Sequence, residues 1–161
     1  VTYPALAPDK PGEEIGFGDG FPTTTGRARI VTTTVTPPNE LPDEEYPMIL
    51  MTGRQLEHWH TGAITRRAAV LDELEPEAVA SISPDDISRL KINPGDTVRI
   101  VTRRGDLRIR AKMDNALPKG VLFIPFCFAE APANILTNPQ LDPVGKIPEF
   151  KFCAAQIERT E

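Results

Sequence analysis

The chain of 161 residues is 40% apolar and 25% charged, a composition typical of one globular domain, which excludes a fibrous or fully disordered protein. The net charge of −5 argues against a general polyanion-binding domain, because such domains are usually strongly basic. No apolar run approaches the roughly 20 residues that a membrane-spanning helix needs.

The first 45 residues predict an irregular arm or linker that contains one strand. Proline, glycine and threonine dominate residues 1–26, and residues 37–45 combine prolines with acidic side chains. Between them, Arg27 to Val35 alternates enough, with a threonine-rich run, to predict the strand. No signal-peptide pattern opens the chain. A chain that opens at Val1 with a proline-rich stretch is expected to be a piece cut from a longer protein.

The compact domain is expected over residues 46–161, mainly as short strands. A nearly continuous apolar run after Tyr46 is typical of a buried strand. Ser83 suits the N-cap of a helix, because Pro84 and two aspartates follow it. The predicted elements are a strand at 46–51, a helix at 66–74, a strand at 78–82, a helix from 83 that stops at 93–95, a hairpin of strands 97–103 and 107–113, and strands at 121–128 and 151–157.

Two further features have plain interpretations. The outer face of the hairpin is basic, but without interleaved aromatic residues it is interpreted as solvated and not as a nucleic-acid surface. Its basic side chains are Arg99, Arg103, Arg108, Arg110 and Lys112. Cys127 and Cys153 lie in apolar contexts without metal-like spacing, so they are predicted to be buried free thiols rather than a disulfide, which favours a reducing compartment.

The segment from Thr52 to Arg67 holds both histidines and the single tryptophan of the chain, as His58-Trp59-His60. On a strand, two histidines at this spacing would point the same way and suit a metal, but a zinc site needs further ligands and no other histidine exists. No serine or cysteine is visibly paired with either histidine for catalysis. Glycines, arginines and threonines around flat side chains instead favour a dinucleotide-like ligand with a pyrophosphate.

The same segment closely resembles the C-terminal domain of molybdopterin oxidoreductases, in Tyr46 to Gly62 followed by Thr65-Arg66-Arg67. Within that superfamily it is most similar to the catalytic (alpha) subunit of soluble, NAD-linked formate dehydrogenases, with periplasmic nitrate reductases close behind. The likeness spans roughly residues 21–158. Further matching motifs are Phe21-Pro-Thr, Gly26-Arg-Ala, residues 85–90, 94–98, 103–105, 123–126, 133–137, 141–143 and 146–151.

This resemblance implies a mainly β (α+β) fold, a double-psi β-barrel with short helical insertions and an irregular N-terminal arm. It implies that the domain binds bis(molybdopterin guanine dinucleotide) carrying molybdenum or tungsten, shared with upstream domains. Residues 52–61 would wrap a pterin and its phosphates, with both histidines near the pterin rings, and Phe126 is a weak candidate beside the substrate funnel. The implied cofactor-binding residues are Thr52, Gly53, Arg54, Gln55, Glu57, His58, Trp59, His60, Thr61, Asn134 and Lys151.

The implied function is oxidation of formate to carbon dioxide by the assembled catalytic subunit. The cysteine ligand of the metal and the iron–sulfur cysteines belong to upstream regions, so no catalytic or metal-ligating residue is expected here and the isolated domain should be inactive. Expected partners are the remaining domains of the subunit and iron–sulfur or flavin electron-transfer subunits, in the cytoplasm. The alternatives are a nitrate reductase or another molybdopterin oxidoreductase, a free-standing barrel that binds a protein or peptide, and a small metal enzyme using both histidines.

Overall fold

A computed structural model describes residues 4–5 and 7–160 and divides the chain into two compact units, Val1–Thr36 and Pro37–Glu161. The first unit contains no helix or strand among its described residues. The strand predicted from Arg27 to Val35 is therefore wrong, and Ile30 and Val35 are more than nine-tenths exposed. A β-propensity pattern makes a strand only where a neighbouring strand accepts its backbone hydrogen bonds.

The second unit is a closed six-stranded barrel with two short helices and two single 3₁₀ turns. Its elements are β1 (Met48–Gly53), a 3₁₀ turn (Thr65–Arg67), α1 (Ala69–Leu74), β2 (Val79–Ile82), α2 (Pro84–Leu90), β3 (Thr97–Thr102), β4 (Gly105–Met113), β5 (Val121–Pro125), a 3₁₀ turn (Ala133–Ile135) and β6 (Cys153–Arg159). All strands predicted for residues 46–161 form, with ends shifted by a few residues. The helical pattern at 66–74 divides into the first 3₁₀ turn and α1.

The strands close in the order β1-β5-β2-β4-β3-β6. Strand β1 runs parallel to β5, and β2 runs parallel to β4, whereas the other neighbouring pairs are antiparallel. Inward apolar side chains such as Leu50, Ile100 and Ile124 are fully buried and fill the interior. The closed mixed barrel is the predicted double-psi β-barrel.

Helix α2 begins where its cap predicts. The Ser83 hydroxyl accepts a hydrogen bond from the Asp86 amide at 3.2 Å, and Pro84 stands at the first helical position. The helix ends at Leu90 because Lys91 adopts a left-handed conformation with φ of 55°, a few residues before the predicted stop.

The basic outer face of the hairpin is largely neutralised by acidic side chains. Four of its five basic residues are ion-paired, and Arg108 has no ion pair among the described residues. Arg99, for example, lies 2.9 Å from Asp106 and 2.8 Å from Glu158. The face is solvated, as predicted, and the structure adds that its charges are largely balanced.

Cys127 and Cys153 are both buried and free, as predicted, and burial raises the pKa of each thiol. No helix in the described part of the chain is long and apolar enough to cross a membrane.

Candidate functional site

A cleft of about 660 Å³ opens at one end of the barrel, beyond the carboxyl ends of β1 and β5. Because these strands are parallel and in register, Gly53 lies beside Pro125 and both chains leave the barrel at the same edge. The segment that leads into β6 closes the opposite side. The lining residues are Thr52, Arg54, His60, Thr61, Phe126, Ala133, Asn134, Thr137, Pro148, Phe150 and Lys151.

Gly53 permits the close approach of β1 and β5 at the edge of the cleft. A Cβ atom on Gly53 would stand 2.6 Å from the Phe123 ring, which no unshifted side chain tolerates. The Phe126 amide donates to the Gly53 carbonyl at 3.1 Å. The hydroxyl of Thr52, itself buried, donates to the Phe150 carbonyl at 2.6 Å and so ties β1 to the far wall.

The His-Trp-His segment is a turn and not a strand. His60 adopts a left-handed conformation with φ of 52°, and Gly62 follows with φ of 74°. A Cβ atom on Gly62 would stand 2.4 Å from the Cys127 carbonyl oxygen, so the loop packs directly on the chain after β5. The two imidazoles are therefore not placed by the alternation of a strand, on which the metal alternative depended.

His58 is buried in the barrel unit and does not line the cleft. Its Nε2 lies 2.8 Å from the Glu75 carbonyl oxygen, which can only accept, so this nitrogen carries a proton. The ring meets the Phe128 ring edge-on at 5.5 Å, and Nδ1 has no hydrogen-bond partner in the part of the chain that the structure describes. This geometry attaches the loop to the end of α1. His60 lies in the cleft, 5.5 Å from the Phe126 ring.

Of the remaining predicted residues, some line the cleft, as His60 does, and others do not, as with His58. Arg54, Thr61, Asn134, Lys151 and the weak candidate Phe126 meet in the cleft with Thr52 and His60. Gln55, Glu57 and Trp59 belong to the same loop but do not line the cleft, and the Trp59 side chain is 72% exposed.

Arg66 supports the loop from beneath and is not available to a ligand phosphate. Its guanidinium bonds to Asp72 at 2.5 Å and to Glu130 at 2.8 Å, and it lies 4.5 Å above the Phe128 ring. The hydrogen bond to Asp72 raises the pKa of Arg66 and outweighs burial, which by itself would lower it. Among the arginines of this segment, Arg54 lines the cleft, whereas Arg66 and Arg67 do not.

The cleft holds positive charge that the fold leaves uncompensated. Within the described residues, neither Arg54 nor Lys151 forms an ion pair, and the Asn134 side-chain amide makes no hydrogen bond. The rings of Phe126 and Phe150 meet edge-on, with centroids 6.5 Å apart. Free cations, a free amide and flat apolar faces suit an anionic ligand with planar rings.

Sequence reasoning missed four lining residues: Ala133, Thr137, Pro148 and Phe150. Each lies within four residues of Asn134 or Lys151 in the same motifs, so proximity along the chain could have found them. Across residues 4–5 and 7–160, no group of three or more His, Cys, Asp or Glu side chains could hold a metal ion.

Comparison with known proteins adds a family and several relatives. Residues 48–154 match the family described as Molydopterin dinucleotide binding domain. The chain is 44% identical over 159 residues to the F420-dependent formate dehydrogenase subunit alpha of Methanocaldococcus jannaschii, and 40% identical over 159 residues to the F420-dependent formate dehydrogenase 1 subunit alpha of Methanococcus maripaludis. Each alignment covers 99% of this chain and 24% of the relative, so the chain spans about a quarter of the length of these relatives.

Among solved structures, acetylene hydratase from Pelobacter acetylenicus superposes with a TM-score of 0.64 at 22% identity, over 73% of this chain and 19% of that protein. At this identity the likeness concerns the fold alone. The curated relatives are named for F420, whereas the sequence resemblance had implied a NAD-linked enzyme.

Proposed function

The chain belongs to the Molydopterin dinucleotide binding domain family, and from this membership we propose that it is the cofactor-binding domain of a formate dehydrogenase catalytic subunit. The observation that carries the proposal is the alignment of 99% of the chain, at 44% and 40% identity, with two subunits named for that activity. The substrate of the assembled enzyme is formate, and its product is carbon dioxide. The same domain of a nitrate reductase remains the rival within the family.

The proposed ligand is bis(molybdopterin guanine dinucleotide) with molybdenum or tungsten, held jointly with upstream domains. When bound, this group supplies the two-electron redox chemistry of formate oxidation. The cleft fits such a ligand because it combines two uncompensated cations with planar apolar walls. Iron–sulfur clusters are assigned to parts of the enzyme outside this chain.

Individual side chains have distinct tasks in this proposal. Arg54 and Lys151 neutralise phosphate oxygens, and the guanidinium of Arg54 can do so with two parallel hydrogen bonds. The Asn134 amide reads a ring edge, because it can donate and accept at once. Phe126 and His60 cover ring faces. No residue of the chain is assigned a bond-making or bond-breaking role.

The predicted residues that do not line the cleft have other tasks in this proposal. Gly53 allows the backbone to approach closely, and His58 holds the loop in place through the Glu75 carbonyl. Gln55, Glu57 and Trp59 are proposed to complete the ligand contacts together with the upstream domains.

The assembled enzyme is proposed to pass electrons to iron–sulfur or flavin subunits. The names of the two relatives favour F420 over NAD as the final acceptor. Two buried free thiols favour a reducing compartment, which supports the cytoplasm as the location.

The proposal is tested by titrating the isotope-labelled chain with GDP, which stands in for the guanine dinucleotide end of the ligand, while amide shifts are followed. We expect saturable shifts at residues 52–61, Asn134 and Lys151, and none at Arg108 on the hairpin. Zinc is titrated separately to test the metal alternative. Absence of GDP shifts, together with tight zinc shifts at both histidines, would contradict the proposal.

A further inference from the structure

A short segment before β1, residues 39–43 (the lead-in segment), is linked to both walls of the cleft, to one wall through Arg104 and to the other through Glu149. The two walls are the 3₁₀ turn region that carries Asn134 and Thr137, and the stretch before β6 that carries Phe150 and Lys151. Neither wall belongs to a strand of the barrel. Their positions therefore depend on the hydrogen bonds that anchor them.

The first anchor runs through Glu40. Its carboxylate is only 13% exposed and bonds to the Arg104 guanidinium at 2.5 Å and to the Arg103 guanidinium at 2.6 Å. The other end of the Arg104 guanidinium donates to the Leu136 carbonyl at 3.0 Å. Leu136 is fully buried and lies between the two cleft residues of the first wall. Glu40 thus orients the arginine that holds this wall.

The second anchor runs through Asn39. Its backbone amide donates to the Glu149 carboxylate at 3.1 Å, and its side-chain amide donates to the same carboxylate at 3.2 Å. Glu149 directly precedes Phe150 and Lys151 in the second wall. The side chain of Asn138, at the end of the first wall, also donates to Glu149 at 3.2 Å, so the two anchors join.

We propose that the lead-in segment is a clamp that holds the two walls of the cleft at ligand-binding distance, with Glu40 and Asn39 as positioning residues. Charge-assisted hydrogen bonds are strong and directional, so a few of them can fix a loop that has no strand partners. A cleft fixed before binding avoids the entropy cost of ordering its walls around the ligand. The clamp as a ligand-positioning device rests on the proposed function, but its effect on wall mobility does not.

The test compares three variants of the full chain: Glu40→Gln, Asn39→Ala and the control Glu44→Gln. Glu44 lies close by, is exposed and makes no hydrogen bond or ion pair among the described residues. Amide hydrogen exchange reports wall mobility without any ligand. In Glu40→Gln we expect roughly tenfold faster exchange at residues 133–138, and in Asn39→Ala a smaller increase at residues 149–151, with unchanged exchange in β3 and β4.

GDP titration then links mobility to binding. We expect the dissociation constant to rise about fivefold in Glu40→Gln and to stay unchanged in the control. Exchange that remains slow in both walls, or that accelerates equally in walls and strands, would overturn the clamp. If the unsubstituted chain shows no GDP binding, the function proposed above fails while the exchange pattern still decides on the clamp.

Discussion

The hairpin face and the cleft are both basic, but the fold treats their charges differently. On the hairpin, Arg99 and Arg103 are each held by two carboxylates. In the cleft, Arg54 and Lys151 meet no carboxylate among the described residues. Paired charges contribute to the folded structure, whereas uncompensated charges at a concave surface remain available for an anionic ligand. By the number of basic residues alone, the hairpin would be the stronger candidate for binding an anion. Because its charges are ion-paired, the cleft is the stronger candidate.

The largest expected effect of breaking a paired charge is at Asp86, where α2 begins. Its fully buried carboxylate accepts from the Gly120 amide at 2.6 Å, from the Ser83 hydroxyl and from Arg89. Replacing Asp86 with alanine leaves these donors without an acceptor, so we expect the free energy of unfolding to fall by about 3 kcal/mol. Urea unfolding measures the loss. Asp85→Ala, at the exposed neighbouring position, should change stability little.

The same carboxylate gives the stability a predictable dependence on pH. Burial by itself would raise the pKa of Asp86, but the hydrogen bonds from Gly120, Arg89 and Ser83 outweigh it and lower the pKa below the usual 3.8. The folded state therefore favours the ionised form. Its contribution is present above pH 3.8 and is lost as the pH falls through the folded-state pKa. Unfolding curves of Asp86→Ala and the unsubstituted chain should therefore differ at neutral pH and converge at acid pH.

For the cleft cations we expect a loss of ligand affinity and little change in stability. The double substitution Arg54→Ala with Lys151→Ala should weaken GDP binding about 100-fold, because two charge-assisted contacts to phosphate are lost. Stability should change little, since neither side chain forms an ion pair among the described residues. Calorimetric titration measures the affinity. Arg108→Ala is the matched control, because Arg108 likewise has no ion pair within the described ranges. An equal loss of affinity in that variant would show that binding depends on net charge alone.

The sequence predicted the barrel better than it predicted the site. Strands and the α2 cap were predicted correctly because alternation and capping are local properties, as in Thr97 to Met113 and at Ser83. The strand at residues 27–35 was wrong because pairing is not local. His58 and His60 are almost adjacent and chemically identical, and only the left-handed turn at His60 puts one in the core and the other in the cleft. The pairing of Arg66 with Asp72 and Glu130 was equally invisible in the sequence.

Close packing also holds the cleft loop in position, and Gly62 tests this. Alanine there would suffer both a positive φ of 74° and a Cβ atom 2.4 Å from the Cys127 carbonyl oxygen, so we expect a loss of about 2 kcal/mol in unfolding free energy. Gly95→Ala is the control, because its φ of 94° is also positive but no atom of residues 4–5 and 7–160 lies within 4 Å of the added atom. Its loss should be about 1 kcal/mol. Equal losses would mean that the close contact at Gly62 is unimportant.

The smallest effect is expected where the hairpin charges are exposed. Arg99→Ala removes the contacts to Asp106 and Glu158, and those hydrogen bonds raise the pKa of Arg99 and lower that of Asp106. Water and salt screen such pairs, so the urea midpoint should drop slightly at low ionic strength and match the unsubstituted chain in high salt. Arg108→Ala should leave the urea midpoint unchanged at both ionic strengths.

GDP affinity should be the same in Arg99→Ala and Arg108→Ala, because neither side chain lines the cleft. A marked fall in affinity for Arg99→Ala would mean that the paired face takes part in binding, and the distinction between paired and free charges would fail.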